Sequence, residues 1–109
     1  MAESEPSSGH VADRVEIVDE TLVFTLTDLC RACRADQIRI IALVDEGVLA
    51  PSGSGPDDWL FSGPSLPRAR TALRLESDLE LGPAGTALVL DLLDQIDALS
   101  ARLRRAGIR

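Results

Sequence analysis

The sequence is short of histidine, cysteine and basic side chains, and each shortage excludes a class of function. One histidine, His10, and two cysteines cannot supply the four ligands of a structural zinc site. Catalysis by histidine would have to use His10, which lies near the start of the chain with no visible catalytic partner. The scattered glycines match neither a P-loop nor a dinucleotide-binding motif. We therefore expect no catalytic residues, no bound metal and no cofactor.

The charge balance is acidic. Eighteen acidic residues against eleven basic ones give a net charge of −7. A protein that binds duplex DNA usually presents a basic surface to the phosphates, and an anionic membrane repels an acidic protein in the same way. These charges predict no nucleic-acid partner and no membrane partner, and they favour a basic protein surface or a cation instead.

Long hydrophobic runs are also missing. The longest unbroken aliphatic run is Ile40–Val44, whereas a membrane span needs roughly 20 residues. The first twenty residues carry six carboxylates and one arginine, which is the reverse of the basic start of a signal peptide. The sequence therefore predicts a cytoplasmic protein.

A chain of 109 residues favours one compact domain. Residues 1–14 are polar and acidic, which predicts a flexible acidic tail. Residues 15–82 carry the alternating strand and helix signals of a helix-turn-helix domain with a β-wing. Residues 83–109 are predicted to form a C-terminal helix that belongs to the same compact domain and mediates dimerisation.

The first half of the chain predicts a helix-turn-helix. A short strand is expected at Leu22–Thr25, because β-branched and aromatic residues are concentrated there. A first helix follows from about Thr27 to Cys33, with Thr25 or Thr27 as its candidate cap. A second helix begins after the candidate cap Asp36 and runs to Glu46, because Gly47 suits the left-handed conformation that ends a helix.

The next segment predicts a wing. Val48–Pro51 and Trp59–Phe61 flank a loop rich in serine, glycine and aspartate, which gives a strand, a loop and a second strand. We expect the aromatic side chains of the second strand to fill the core. Ser62 is the predicted cap of a third helix that reaches Leu79.

The last helix is predicted from Pro83 to about Ala106, a length of about 36 Å at 1.5 Å per residue, which is more than so small a domain can cover. Apolar residues recur along it at spacings of 3 and 4, the pattern of a two-helix coiled coil. We predict a homodimer whose interface includes Val89, Leu92, Ile96, Leu99 and Leu103.

Cys30 and Cys33 have the spacing of a redox pair. A reactive CxxC needs its first cysteine at the start of a helix, where the dipole lowers the thiol pKa, but Cys30 falls inside a helix already begun. Buried structural cysteines are the favoured interpretation, and a thiol sensor remains an alternative.

Three acidic clusters are candidates for partner binding. The second predicted helix is apolar around most of its circumference, so we expect Ala42 and Leu43 to face outward beside Asp45 and Glu46. Packing of these two apolar residues against the wing is an equal alternative. The other clusters are Asp57 and Asp58 on the wing and Asp91, Asp94 and Asp97 on the last helix, and for the helix cluster a solvated helix face is the ordinary interpretation.

Four segments carry a family resemblance: TLTDLCRAC, LVDEGVLAP, WLFSGPSLPRARTALRLESDL and ALVLDLLDQIDALSARL, which lie in this order between Val23 and Arg104. Together they resemble the chaperone modulator CbpM family, whose members have a mainly α, MerR-like winged helix-turn-helix fold with a small β-wing and a long C-terminal dimerisation helix. The resemblance implies a protein that binds the positively charged J domain of a DnaJ-type co-chaperone, CbpA, and inhibits its cooperation with DnaK.

The same resemblance separates the chain from MerR proteins that bind DNA. Those proteins typically carry Arg-Tyr-Tyr before the turn that ends the second helix, and the aligned residues here are Ile41, Ala42 and Leu43. Their wing is usually basic, whereas this one carries Asp57 and Asp58. A divergent MerR-type transcriptional regulator with weak DNA binding is the alternative function.

Overall fold

The computed structural model describes residues 22–107, so the predicted acidic tail, residues 1–14, lies outside the described residues. Six elements follow one another along the chain. They are β1 (Val23–Thr25), α1 (Leu26–Cys33), α2 (Gln37–Asp45), β2 (Leu60–Ser62), α3 (Ser65–Leu79) and α4 (Pro83–Arg105). The predicted mainly helical, winged helix-turn-helix fold is confirmed.

The helix-turn-helix is set by local capping. Thr25 accepts a hydrogen bond from the Asp28 amide at 3.0 Å, and the Asp28 carboxylate accepts one from the Thr25 amide at 3.1 Å, so α1 starts immediately after Thr25. Asp36 caps α2 by accepting a bond from the Arg39 amide at 3.1 Å, as the sequence predicted. Gly47, with φ of 81°, takes the left-handed conformation just after α2.

The wing differs from the prediction. β2 pairs antiparallel with β1, with Phe24 opposite Phe61, and the segment Val48–Pro51 forms no strand. Only Ser52 reaches β2, through an isolated bridge to Leu60. The reason is that the Val48 and Leu49 side chains turn into the core, where both are buried, instead of extending along the sheet.

The start of α3 also differs. Ser62 belongs to β2 and does not cap the helix, because α3 begins at Ser65 with Pro64 in the capping position and no side-chain cap. The Ser62 and Ser65 hydroxyls are 3.3 Å apart and share a hydrogen bond. The predicted end of the helix at Leu79 is confirmed, with Glu80 in the left-handed conformation after it.

The core lies between the sheet and the helices, and Leu90 is the buried core residue that α4 contributes. Phe61 is fully buried, and Trp59 packs against its ring edge to face, with centroids 6.0 Å apart and an interplanar angle of 83°. The largest fully buried aliphatic side chains are Leu29, Ile40 and Leu43. The expectation that the wing aromatics fill the core is confirmed for Phe61, whereas Trp59 is half-buried at its margin.

The buried residues of helix α4 all lie in its first half. Thr86 and Leu90 are its buried residues, and every residue from 91 to 99 is exposed. The helix therefore has the predicted length and extends beyond the surface that its own domain offers. Each helix within residues 22–107 is either too short or too polar to span a lipid bilayer.

Candidate functional site

The outward face of α2 is apolar along one side. Ile38 is 78% exposed, and Ile41 and Ala42, three and four residues later, are partly exposed. Asp45, seven residues after Ile38, lies on the same face at the end of the helix. We refer to Ile38, Ile41, Ala42, Asp45 and Glu46 as the α2 surface.

Leu43 does not belong to this surface, so the expectation that its side chain faces outward is wrong. It is 0% exposed because it lies three residues after Ile40, and this spacing places both side chains on the core side of α2. Ile38, which was not among the predicted site residues, takes this place on the outward face. Its position four residues before Ala42 and seven before Asp45 is the signal that identifies it.

The acidic end of the α2 surface is formed by Asp45 and Glu46. Asp45 closes α2 and Glu46 is its C-cap, where the helix dipole is negative, and the last turn holds no basic residue. Neither carboxylate has an ion-pair partner within residues 22–107. Arg39, the one basic residue of this helix, is 3.4 Å from Glu76 on α3. The two carboxylates therefore present negative charge to solvent.

The two acidic residues of the wing, Asp57 and Asp58, differ in their hydrogen bonding. The Asp58 carboxylate accepts hydrogen bonds from the Gly55 amide at 2.9 Å and from the amide and hydroxyl of Ser54 at 3.0 and 3.2 Å. These bonds, that from Gly55 foremost, lower the Asp58 pKa below its ordinary value. Gly53 is required beside it, because a Cβ there would lie 2.6 Å from the Asp58 carbonyl oxygen. Asp58 therefore shapes the loop, and Asp57 is left exposed.

Two of the three aspartates of the acidic cluster on α4 also interact with other side chains of the protein. Asp94 is 3.2 Å from the Arg68 guanidinium, and the same arginine donates from Nε to the Val48 carbonyl at 2.8 Å. Asp91 accepts a hydrogen bond from Gln95 at 3.0 Å. Asp97 is exposed at the edge of a shallow groove between α3 and α4. Arg68 thus ties α4 to the turn that follows α2.

A continuous apolar stripe runs along α4. Val89 is partly buried, and the other seam residues are between 45% and 55% exposed. Leu88 at 60% and Leu93 at 41% widen the stripe. The exposed seam residues are Leu92, Ile96, Leu99 and Leu103. Large aliphatic side chains at heptad spacing and half-exposed in a single chain are typical of a helix that pairs with another helix.

The two cysteines are free thiols on α1 and both are partly buried. Burial raises the pKa of each thiol, and the nearby Asp36 carboxylate raises that of Cys30 further. A raised pKa lowers the thiolate fraction, so this environment does not activate either sulfur. Within residues 22–107, no cluster of three or more histidine, cysteine, aspartate or glutamate side chains is placed to hold a metal ion, and His10 lies outside the described residues.

The helix-turn-helix, the short wing and the long C-terminal helix define a MerR-like winged-helix protein, and the family described as MerR HTH family regulatory protein matches residues 24–106. A chaperone modulatory protein CbpM from Coxiella burnetii (strain Dugway 5J108-111) is 35% identical over 88 residues, which cover 81% of this chain and 83% of the relative. A CbpM from Pseudomonas putida (strain GB-1) is 37% identical over 71 residues, covering 65% and 70% of the two chains. The chain belongs to the CbpM family of chaperone modulatory proteins.

Family membership supports a role as a chaperone modulator. The relatives and the matching family are named as modulators and regulators rather than as enzymes.

Proposed function

We propose that this protein binds the J domain of a DnaJ-type co-chaperone similar to CbpA in the cytoplasm, and thereby inhibits the cooperation of that co-chaperone with DnaK. Its similarity to the CbpM proteins carries the proposal. A J domain presents a positively charged helix to its Hsp70 partner. An acidic protein that covers this helix blocks the docking without any catalytic step.

The charge distribution supports the proposal. The chain carries a net charge of −7, and the exposed carboxylates Asp45, Glu46, Asp57 and Asp97 have no ion-pair partner within the described residues. Complementary charge accelerates association with a basic surface, whereas apolar contacts mainly set the residence time. The exposed Ile38 supplies such an apolar contact beside two of the carboxylates.

Calorimetry with a purified J domain tests the proposal. At about 0.15 M salt, we expect a dissociation constant of about 1 μM or tighter, and weaker binding at 1 M salt, where the Debye length falls to about 3 Å. A J domain whose basic helix residues are replaced by alanine is the control and should bind much more weakly. Absence of binding at micromolar concentrations would contradict the proposal.

We also propose that the protein is a homodimer through α4. An antiparallel pairing would bring the aspartates of one helix near the arginines at the end of the other, Arg102, Arg104 and Arg105. The exposed apolar stripe would be covered in the same arrangement. Two copies of the α2 surface would then be available in one dimer.

DNA binding is the second candidate, because the matching family is described as regulatory helix-turn-helix proteins. The helix that reads bases in such proteins corresponds to α2, which here presents Ile38, Ala42 and two carboxylates, while Arg39 faces Glu76. We expect no shift of duplex DNA in a mobility assay at about 0.15 M salt. A sequence-specific shift under these conditions would favour the regulator instead.

A further inference from the structure

Resting on the proposed function, we infer that the J domain docks its basic helix on the α2 surface, rather than on the wing or on α4. The occupant is an amphipathic helix with an apolar side chain to cover Ile38 and with lysine or arginine to meet Asp45 and Glu46. Three observations support this site: the face is exposed, its carboxylates are unpaired within the described residues, and most carboxylates of the other two acidic clusters bind groups of the chain itself.

Exposure is the first observation. Ile38 is 78% exposed and is the most exposed of the large hydrophobic side chains in the described part of the chain. At this exposure the isoleucine side chain contributes little to the core, and serine or lysine would have a similar or higher helix propensity. Contact with an apolar group of a partner would remove its side chain from water, which is the ordinary source of affinity at the centre of an interface.

Charge placement is the second observation. Two carboxylates at the C-terminal end of a helix are repelled by the negative end of its dipole, and no basic residue in the last turn of α2 compensates them. A cation from a partner would relieve this repulsion. Ile38 and Asp45 are about 10 Å apart along the helix axis at 1.5 Å per residue, so about two turns of a docked helix would cover both groups.

The other acidic clusters are less available. Asp58 holds the wing loop through three hydrogen bonds, and Asp94 and Asp91 are engaged with Arg68 and Gln95. The α4 aspartates also flank the apolar stripe that we assign to the second copy of the chain. Asp45 and Glu46 are the only adjacent pair of these acidic residues in which neither carboxylate has a hydrogen-bond or ion-pair partner within residues 22–107.

Charge-reversal pairs test the assignment. Asp45→Arg/Glu46→Arg should weaken J-domain binding by at least about tenfold, because it places two cations against a basic helix. The pair is expected to fold, since arginine at the end of α2 complements the helix dipole. The matched control is Asp57→Arg/Asp78→Arg, which changes the net charge equally at exposed positions on the wing and α3. We expect the control to bind within about threefold of the unmodified protein.

Ile38→Ser tests the apolar part of the same surface. Because the side chain is exposed, the substitution should leave the unfolding transition unchanged while it raises the dissociation rate of the J domain several-fold. Circular dichroism of every variant verifies that loss of binding is not loss of folding.

The outcomes separate the inference from the proposed function. If the unmodified protein binds and both charge-reversal pairs weaken binding equally, the net charge rather than the α2 surface determines the affinity, and the inference is overturned. Loss of binding in Asp91→Arg/Asp97→Arg alone would move the site to α4 and overturn it too. If the unmodified protein binds no J domain, the proposed function itself is contradicted.

Discussion

Replacement of Leu92 and Ile96 by glutamate is expected to convert the protein from a dimer into monomers. Both side chains are about half-exposed in the single chain, at 48% and 55%, and both lie in the apolar stripe of α4. In the proposed pairing, the double variant would bury four carboxylates in one apolar seam, which is strongly unfavourable. Light scattering coupled to size-exclusion chromatography should report the mass of one chain.

The matched control adds the same charge to the same helix. Ala84→Glu/Ala98→Glu places two carboxylates at exposed positions that helical periodicity puts away from the stripe. This variant should remain a dimer, and the Leu92→Glu/Ile96→Glu monomer should keep a helical circular dichroism spectrum because its own core is untouched. If the Leu92→Glu/Ile96→Glu variant stays dimeric, the dimer interface lies elsewhere. If the unmodified protein is monomeric, the proposed α4 dimer is contradicted.

Replacement of Leu43 by alanine is expected to lower the free energy of unfolding by about 2–5 kcal/mol. Leu43 is 0% exposed in the core, so the deletion leaves a cavity that a domain of this size repacks poorly. Small domains have only about 5–15 kcal/mol of stability in total, so this loss is a large fraction of the total and should clearly lower the midpoint of unfolding. Urea denaturation at a fixed protein concentration, followed by circular dichroism, measures the change.

Ile38→Ala on the same helix is the control for this prediction. It removes a comparable aliphatic side chain, but from the solvent-exposed face, and should change the stability by less than about 0.5 kcal/mol. Equal destabilisation by the two substitutions would show that α2 is rotated about its axis relative to the arrangement described above. That result would also remove Ile38 from the α2 surface.

Local signals explain which parts of the fold the sequence predicts well. The caps at Thr25 and Asp36 and the left-handed Gly47 act within a few residues, so the helix-turn-helix can be recognised from sequence alone. The wing depends on distant packing. The segment around Val48 and Leu49 was predicted to be a strand, yet both side chains are buried in the core. No local sequence pattern indicates this burial.

The outward face of α2 is hard to predict for a related reason. Apolar residues occupy almost its whole circumference, so hydrophobic periodicity does not fix which stripe faces the core. The structure resolves the ambiguity by burying Ile40 and Leu43 and exposing Ile38. On α4 the opposite holds, because a regular apolar stripe on a helix longer than its domain indicates a second contact surface from the sequence alone.

The ATPase rate of DnaK stimulated by a full-length CbpA-type co-chaperone is the most direct measure of the proposed activity. We expect this protein, added at increasing concentration, to return the stimulated rate to the basal rate of DnaK alone and to leave that basal rate unchanged. The Asp45→Arg/Glu46→Arg variant should require at least about tenfold more protein for the same inhibition. A stimulated rate that stays constant at saturating concentrations of the unmodified protein would contradict the proposal.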